Sequence, residues 1–122
     1  SLIGVLSQLK AVYRLRKQSQ FNYAYKKGKS YACKNLVLVY AKSNSDKLKA
    51  GFSISKKIGK SVVRNKIKRR LREAFSKHIK DLKQEYYYVF IARKAIAEDD
   101  YHKISSSVNY LLKKANLFKT AD

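Results

Sequence analysis

The chain has 122 residues, enough for a single domain. Its 29 Lys and Arg against 8 Asp and Glu leave +21, a self-repulsion that calls for a polyanionic partner, while 45% hydrophobic and 12% aromatic residues supply a core that a disordered basic tail lacks. One cysteine (Cys33) excludes an internal disulfide and a thiolate zinc cluster, two histidines exclude a histidine-rich metal site, and no apolar run nears the ~20 residues of a membrane span.

At the N-terminus, Ser1-Leu2-Ile3-Gly4-Val5-Leu6 sets apolar residues ahead of the charges, the wrong order for a secretory signal. Residues 1–12 are expected to be an extension, disordered or added for expression, and 13–118 the domain. Ser19 can cap a first helix and Gly28 can end it, with Phe21 and Tyr25 on one face. A short strand is allowed near Tyr31-Ala32-Cys33. Leu36 to Ala41 reads as a strand, Ser43-Asn44-Ser45-Asp46 as a turn and Leu48 to Ser55 as the return, so 36–55 is expected to be an antiparallel hairpin. From Ser61 to about Lys83 the pattern is helical: Val63, Ile67, Leu71, Phe75 and Ile79 recur every four residues, with Val62, Ala74 and Leu82 beside them. Tyr86 to Arg93 is another strand. Asp99 or Asp100 can cap a last helix whose stripe is Tyr101, Ile104, Val108, Leu111, Leu112 and Ala115. The expected class is α+β, a small sheet of three to four mostly antiparallel strands packed with helices.

Residues 56–72 hold 9 cations in 17 positions and no acid; Glu73 is the first carboxylate after Asp46. A solubilising face mixes signs, because like charges four apart repel by a few tenths of a kcal/mol. Here Arg64, Lys68 and Arg72 stack at that spacing, with Arg69 and Asn65 alongside. With Val63, Ile67, Leu71 and Phe75 turned inward, these side chains project outward or along one flank, where phosphates can neutralise them. Arg offers a planar fork to phosphate, and Asn a donor and an acceptor to a base edge or ribose hydroxyl. Lys56, Lys57 and Lys60 precede the helix, near free N–H groups that favour anions. Gly59-Lys60-Ser61 is half of a phosphate-cradling loop motif whose other glycine is replaced by Ile54, so nucleotide hydrolysis is not expected.

A second candidate surface is aromatic. Phe21 and Tyr25 can lie beside a sheet face carrying some of Val37, Val39 and Phe52, and Tyr25, Tyr31 and Tyr40 suit half-exposed stacking on unpaired bases. No paired carboxylates, no nucleophile with a base and no metal cluster stand out; Cys33 reads as a buried strand residue, and His78 and His102 as surface residues. The protein is expected to carry no nucleolytic machinery of its own.

The run from Gly51 to Phe75, GFSISKKIGKSVVRNKIKRRLREAF, closely resembles the signature of the bacterial ribonuclease P protein subunit. Tyr13-Arg14-Leu15, the Phe21 and Tyr25 pair, Lys27-Gly28-Lys29-Ser30, Leu36-Val37-Leu38 and Ile91-Ala92-Arg93-Lys94 extend the resemblance over about residues 13–118. The resemblance implies a cytoplasmic accessory subunit of a ribonucleoprotein whose RNA, with Mg²⁺, removes the 5′ leader of precursor tRNA. It implies a left-handed β-α-β crossover into the basic helix. It also implies that Arg64, Asn65, Lys66, Lys68, Arg69 and Arg72, with Lys56 and Lys57, meet the catalytic RNA. Phe21 and Tyr25 match the aromatic positions of a leader-binding cleft, Val39 its strand wall, and Arg93 and Lys94 a further basic pair. Neither a membrane nor an obligatory protein partner is implied. The alternative from another class is a ribosomal or general RNA-binding structural protein, which the same charge and helix would serve.

Overall fold

Residues 13–119 are described by the structure, a computed structural model, and the extension expected over 1–12 lies outside them. Helix α1 (Gln18–Lys27) comes first. Ser19 does not cap it but sits in its first turn; Gln20 ties that turn down, its Oε1 accepting from the N–H groups of Arg16 and Lys17 at 3.3 Å each. The helix ends at Gly28 as expected, where the N–H donates to Ala24 O at 2.8 Å. A Cβ at Gly28 would collide with that carbonyl and lie 2.7 Å from Tyr40 O, so only glycine fits the turn into the sheet.

Four strands follow: β1 (Lys29–Ala32), β2 (Leu36–Lys42), β3 (Lys49–Ser53) and, after helix α2 (Ser61–Ser76), β4 (Tyr86–Ala92). The optional short strand is thus present as β1. The sheet order is β1-β2-β4-β3, with β1/β2 and β2/β4 antiparallel and β3/β4 parallel. The hairpin expected over 36–55 does not form, because β4 lies between its two arms. β2 buries side chains on both faces, Leu36 and Leu38 on one and Val39 and Ala41 on the other, so it needs a neighbour on each edge. β4, also apolar on both faces, fills that place better than β3 with its small Ala50 and Gly51. The loop over 43–48 steps past the intervening strand, and Ser43 N donates to Glu85 O at 2.8 Å on the way.

The sheet divides two apolar clusters. On one face Leu36, Leu38, Tyr88 and Phe90 pack under α2 and helix α3 (Tyr101–Lys114), with Ile67, Leu71, Phe75, Ile104, Val108 and Leu111. On the other, Val39, Ala41 and Val89 pack under α1 with Leu15 and Ala24. Asp100 is the cap of α3, its Oδ1 accepting from Lys103 N at 2.9 Å; Asp99 instead accepts from Asn35 Nδ2 at 2.7 Å. Helix α2 stops at Ser76, short of the expected Lys83. The Ser76 hydroxyl donates to Glu73 O at 2.9 Å, and Gln84 Nε2 donates to the carbonyls of Ile79 and Leu82 at 2.8 Å each, so the carbonyls after the helix find partners in a turn. Ile79 and Leu82 still reach the core, whereas Val62, expected beside the stripe, is 79% exposed.

His78, expected on the surface, is half-buried with its ring edge-on to Phe118 at 5.4 Å. Burial, with the charge of Lys77, holds its imidazole below the ordinary 6.5. A folded pKa below the unfolded one means that the unfolded chain takes up the proton first as pH falls. Stability contributed here is full above about pH 7 and is lost progressively below about 6.5. Urea midpoints should therefore fall from pH 7 towards pH 5, and the His78→Gln chain should lose that part of the slope.

Candidate nucleic-acid interface

The basic segment begins in a one-turn helix, Lys56–Ile58, where buried Ile58 leaves Lys56 and Lys57 exposed. No side chain caps the N-terminus of α2, and its first turn has no acid, so free N–H groups lie beside exposed Lys60. Arg64 is held by its own loop: Nε donates to Gly59 O and Nη2 to Ser61 Oγ, both at 3.1 Å. That fixes the guanidinium and leaves three of its five N–H donors for a partner. Ile67, Leu71, Ala74 and Phe75 are buried as the four-residue spacing requires, and Asn65, Lys66 and Arg69 are exposed. Among the described residues no carboxylate pairs with Arg64, Lys66, Lys68 or Arg69, whereas Lys103 pairs with Asp99 at 3.9 Å.

The helix has two unlike flanks. Lys66 and Arg70 border a recess shared with Glu98, Asp99 and Asp100, and Arg70 Nη1 donates to Asp99 O at 3.0 Å. On the opposite flank Lys68 and Arg72 line a cavity of about 250 Å³ with Arg14, Phe21 and the backbone of β3. Arg14 reaches it because its segment runs beside β3, Leu15 N donating to Ala50 O at 2.9 Å. Burial, and then the Arg14 charge, lowers the pKa of Arg72, whose buried Nε has no acceptor among the described residues. An anion seated here would relieve both penalties.

The aromatic surface is a cleft between α1 and the sheet. Val39 (8% exposed) lies under the helix, while Val37 and its cross-strand partner Ile91 are only half-buried and continue the floor into the open. Phe21 sits over Gly51: a Cβ there would strike Cε1 and Cζ of its ring. Tyr25 stands beside Phe21, ring centroids 6.4 Å apart, and is 44% exposed. Arg93 and Lys94 are exposed at the end of β4, and Arg93 Nη1 donates to Cys33 O at 3.1 Å.

Phe52, expected in this cleft, points into the other layer, stacked on Phe90 at 5.9 Å and edge-on to Phe75 at 6.3 Å. Its register is set by β4, where it pairs with Phe90 while Gly51 pairs with Val89. Tyr31 and Tyr40 also fall on the face away from Phe21. Three cleft residues escaped the sequence reading: Ile91, Gly51 and Arg14. Only Gly51 carried a local signal, since a glycine inside a strand marks close approach of another group. Cys33, expected buried in a strand, is half-buried in the turn just after β1, its Sγ donating to Asn35 Oδ1 at 3.2 Å, and His102 is exposed. No helix among the described residues is long and apolar enough to cross a membrane.

The Ribonuclease P family model matches residues 9–116. The chain is 44% identical over 106 residues to a ribonuclease P protein component of Clostridium botulinum, covering 86% of this chain and 96% of that one. To the component of Clostridium kluyveri it is 46% identical over 111 residues, covering 88% and 98%. The solved RNase P protein of Staphylococcus aureus superposes with a TM-score of 0.83 at 36% identity, over 90% of this chain and 100% of that one. That of Thermotoga maritima, in complex with 1-(4-fluorophenyl)-2-thiourea, gives 0.77 at 30% identity, over 83% and 98%. A basic helix whose cations meet no carboxylate among the described residues, an aromatic cleft beside it and these matches along almost the whole domain have one reading: the chain belongs to the ribonuclease P protein family, as the protein component of that ribonucleoprotein.

Proposed function

We propose that the two surfaces divide the work of ribonuclease P between two RNAs. The outward side of α2, with Lys56, Lys57 and Lys60, docks on the catalytic RNA: Arg64 as a fixed fork, Lys68, Arg69 and Arg72 on phosphates, Asn65 on a base edge or ribose. The cleft takes the single-stranded 5′ leader of precursor tRNA, with bases against Phe21 and Tyr25 and apolar contact to Val37 and Val39. Arg93 and Lys94 extend the positive field at its end. The observation that carries this reading is the cavity where Arg14, Lys68 and Arg72 meet Phe21, since it sets the cationic helix against the aromatic cleft, so that catalytic RNA and leader can be held side by side.

In this reading the protein's residues bind and orient, and the RNA carries the cleavage. Among the described residues no group of three or more His, Cys, Asp or Glu could hold a metal ion. Mg²⁺ in this reading belongs to the RNA, and the site of action is the cytoplasm, where precursor tRNA is matured.

The test is reconstitution. Added to ribonuclease P RNA at low Mg²⁺, the chain is expected to restore leader removal, and a ribosomal RNA-binding protein would fail. Arg64→Ala should weaken association with the catalytic RNA by about 10-fold, the loss of one charged hydrogen-bonding fork. Wild-type binding by that variant would remove α2 from the interface.

A further inference from the structure

The sheet face opposite the leader cleft carries a second aromatic surface. Directly paired residues share a face, so Lys29 points with Tyr40 and Tyr88, and Lys42 with Tyr86. Two residues on from Lys29, Tyr31 joins them. Its ring is nearly parallel to that of Tyr40, at 5° and 6.3 Å, and Tyr40 meets Tyr86 at 6.0 Å. Helix α3 packs at the other end of this face, where Ser107 Oγ donates to Asn35 Oδ1 at 2.8 Å.

Tyr88 shows what a structural tyrosine looks like here: fully buried, with its hydroxyl donating to Lys83 O at 2.7 Å. Tyr31 is different. It stands 37% exposed on an edge strand whose four residues are all exposed, and Tyr40 and Tyr86 are half-buried beside it. Cross-strand aromatic pairing explains contact among the rings, but not why the outermost faces solvent. Among the described residues neither Lys29 nor Lys42 meets a carboxylate. Glu85 is the acid adjoining the patch in sequence, and its charge is felt at the Tyr88 hydroxyl. One exposed and two half-buried rings, flanked by ammonium groups that meet no carboxylate among the described residues, complement a chain that carries both flat faces and phosphates.

We propose that Tyr31, Tyr40 and Tyr86, flanked by Lys29 and Lys42, form a second RNA-binding surface that takes an unpaired segment by base stacking. It lies across the sheet from the leader cleft, so either site can fail alone.

The test uses the full chain and a short oligouridylate carrying a photoreactive thiouridine. Cross-links are expected on peptides holding Tyr31 or Tyr40 as well as on that holding Phe21. With the cleft disabled by Phe21→Ala, adding Tyr31→Ala should lower the remaining affinity by about five-fold or more. Adding Lys29→Glu instead, which leaves every ring in place, should lower it too and reduce the salt slope by about one or more. Residual binding unchanged by both additions, with no cross-link outside the cleft, overturns the proposal. So does a concentration-dependent dimer of the parent chain that Tyr31→Ala abolishes without affecting RNA binding, since the face would then join two copies.

Discussion

Affinity for the catalytic RNA is expected to fall about 10³-fold between 50 and 200 mM monovalent salt, if the basic segment neutralises six or so phosphates. The count comes from exposed Lys56, Lys57, Lys60 and Arg69 together with half-exposed Arg64 and Lys68. What makes the slope so steep is the absence of internal competition. An exposed ion pair is worth at most about 1 kcal/mol, but a helix laced with them would trade internal pairs for phosphate contacts and gain little. Here Glu73, the one acid on α2, pairs with none of these cations among the described residues, and Glu98, Asp99 and Asp100 gather on the far flank beside Lys66 and Arg70. Each cation at the interface therefore releases a counterion on binding. A titration of binding constant against salt for the wild type and for Lys56→Ala with Lys57→Ala reads this directly. The double substitution should flatten the slope by about two while leaving the fold intact, because both side chains are exposed. A flat wild-type response would remove the electrostatic account altogether.

What could be read in advance was what is local. The four-residue spacing from Val63 to Phe75 put the right side chains of α2 inward and so gave its cationic side, and Gly28 and Asp100 marked helix ends through chemistry that operates within a few residues. The failures have a common cause. β2 and β3 are separated by a turn-rich loop, and adjacency suggests a hairpin; the actual order depends on β4, which lies more than thirty residues downstream of β3 and is buried on both faces. Once β4 sets the register, Phe52 pairs with Phe90 and leaves the cleft, although simple alternation allowed it a place beside Val37 and Val39. Arg14 enters the cavity through a bridge to Ala50, a contact with no trace in either segment's pattern. The turn that replaces the last expected turns of α2 likewise draws on Gln84, whose side chain returns to the carbonyls of Ile79 and Leu82.

The seat of Phe21 carries the second large expectation. Its ring occupies the space that a side chain at Gly51 would need, so cleft shape depends on a residue with no side chain. Gly51→Val should push the ring off the strand, and Phe21→Leu should keep apolar cover over Gly51 while removing the stacking face. Both are expected to lower the preference for leader-bearing over mature tRNA by about 5-fold to 100-fold, the range of one stacked base. The ratio of the two affinities is the measurement, because loss of phosphate contacts alone would weaken both RNAs together. Phe21→Tyr should retain the ratio, since it keeps the ring. Gly51→Val also presses on Leu15, whose Cβ would lie 3.3 Å from the new atom, so its thermal midpoint must be recorded beside its affinities. Phe21→Leu carries the decision if that variant melts early. A Phe21→Leu chain that binds both tRNA forms with equally reduced affinity would take the leader out of this cleft.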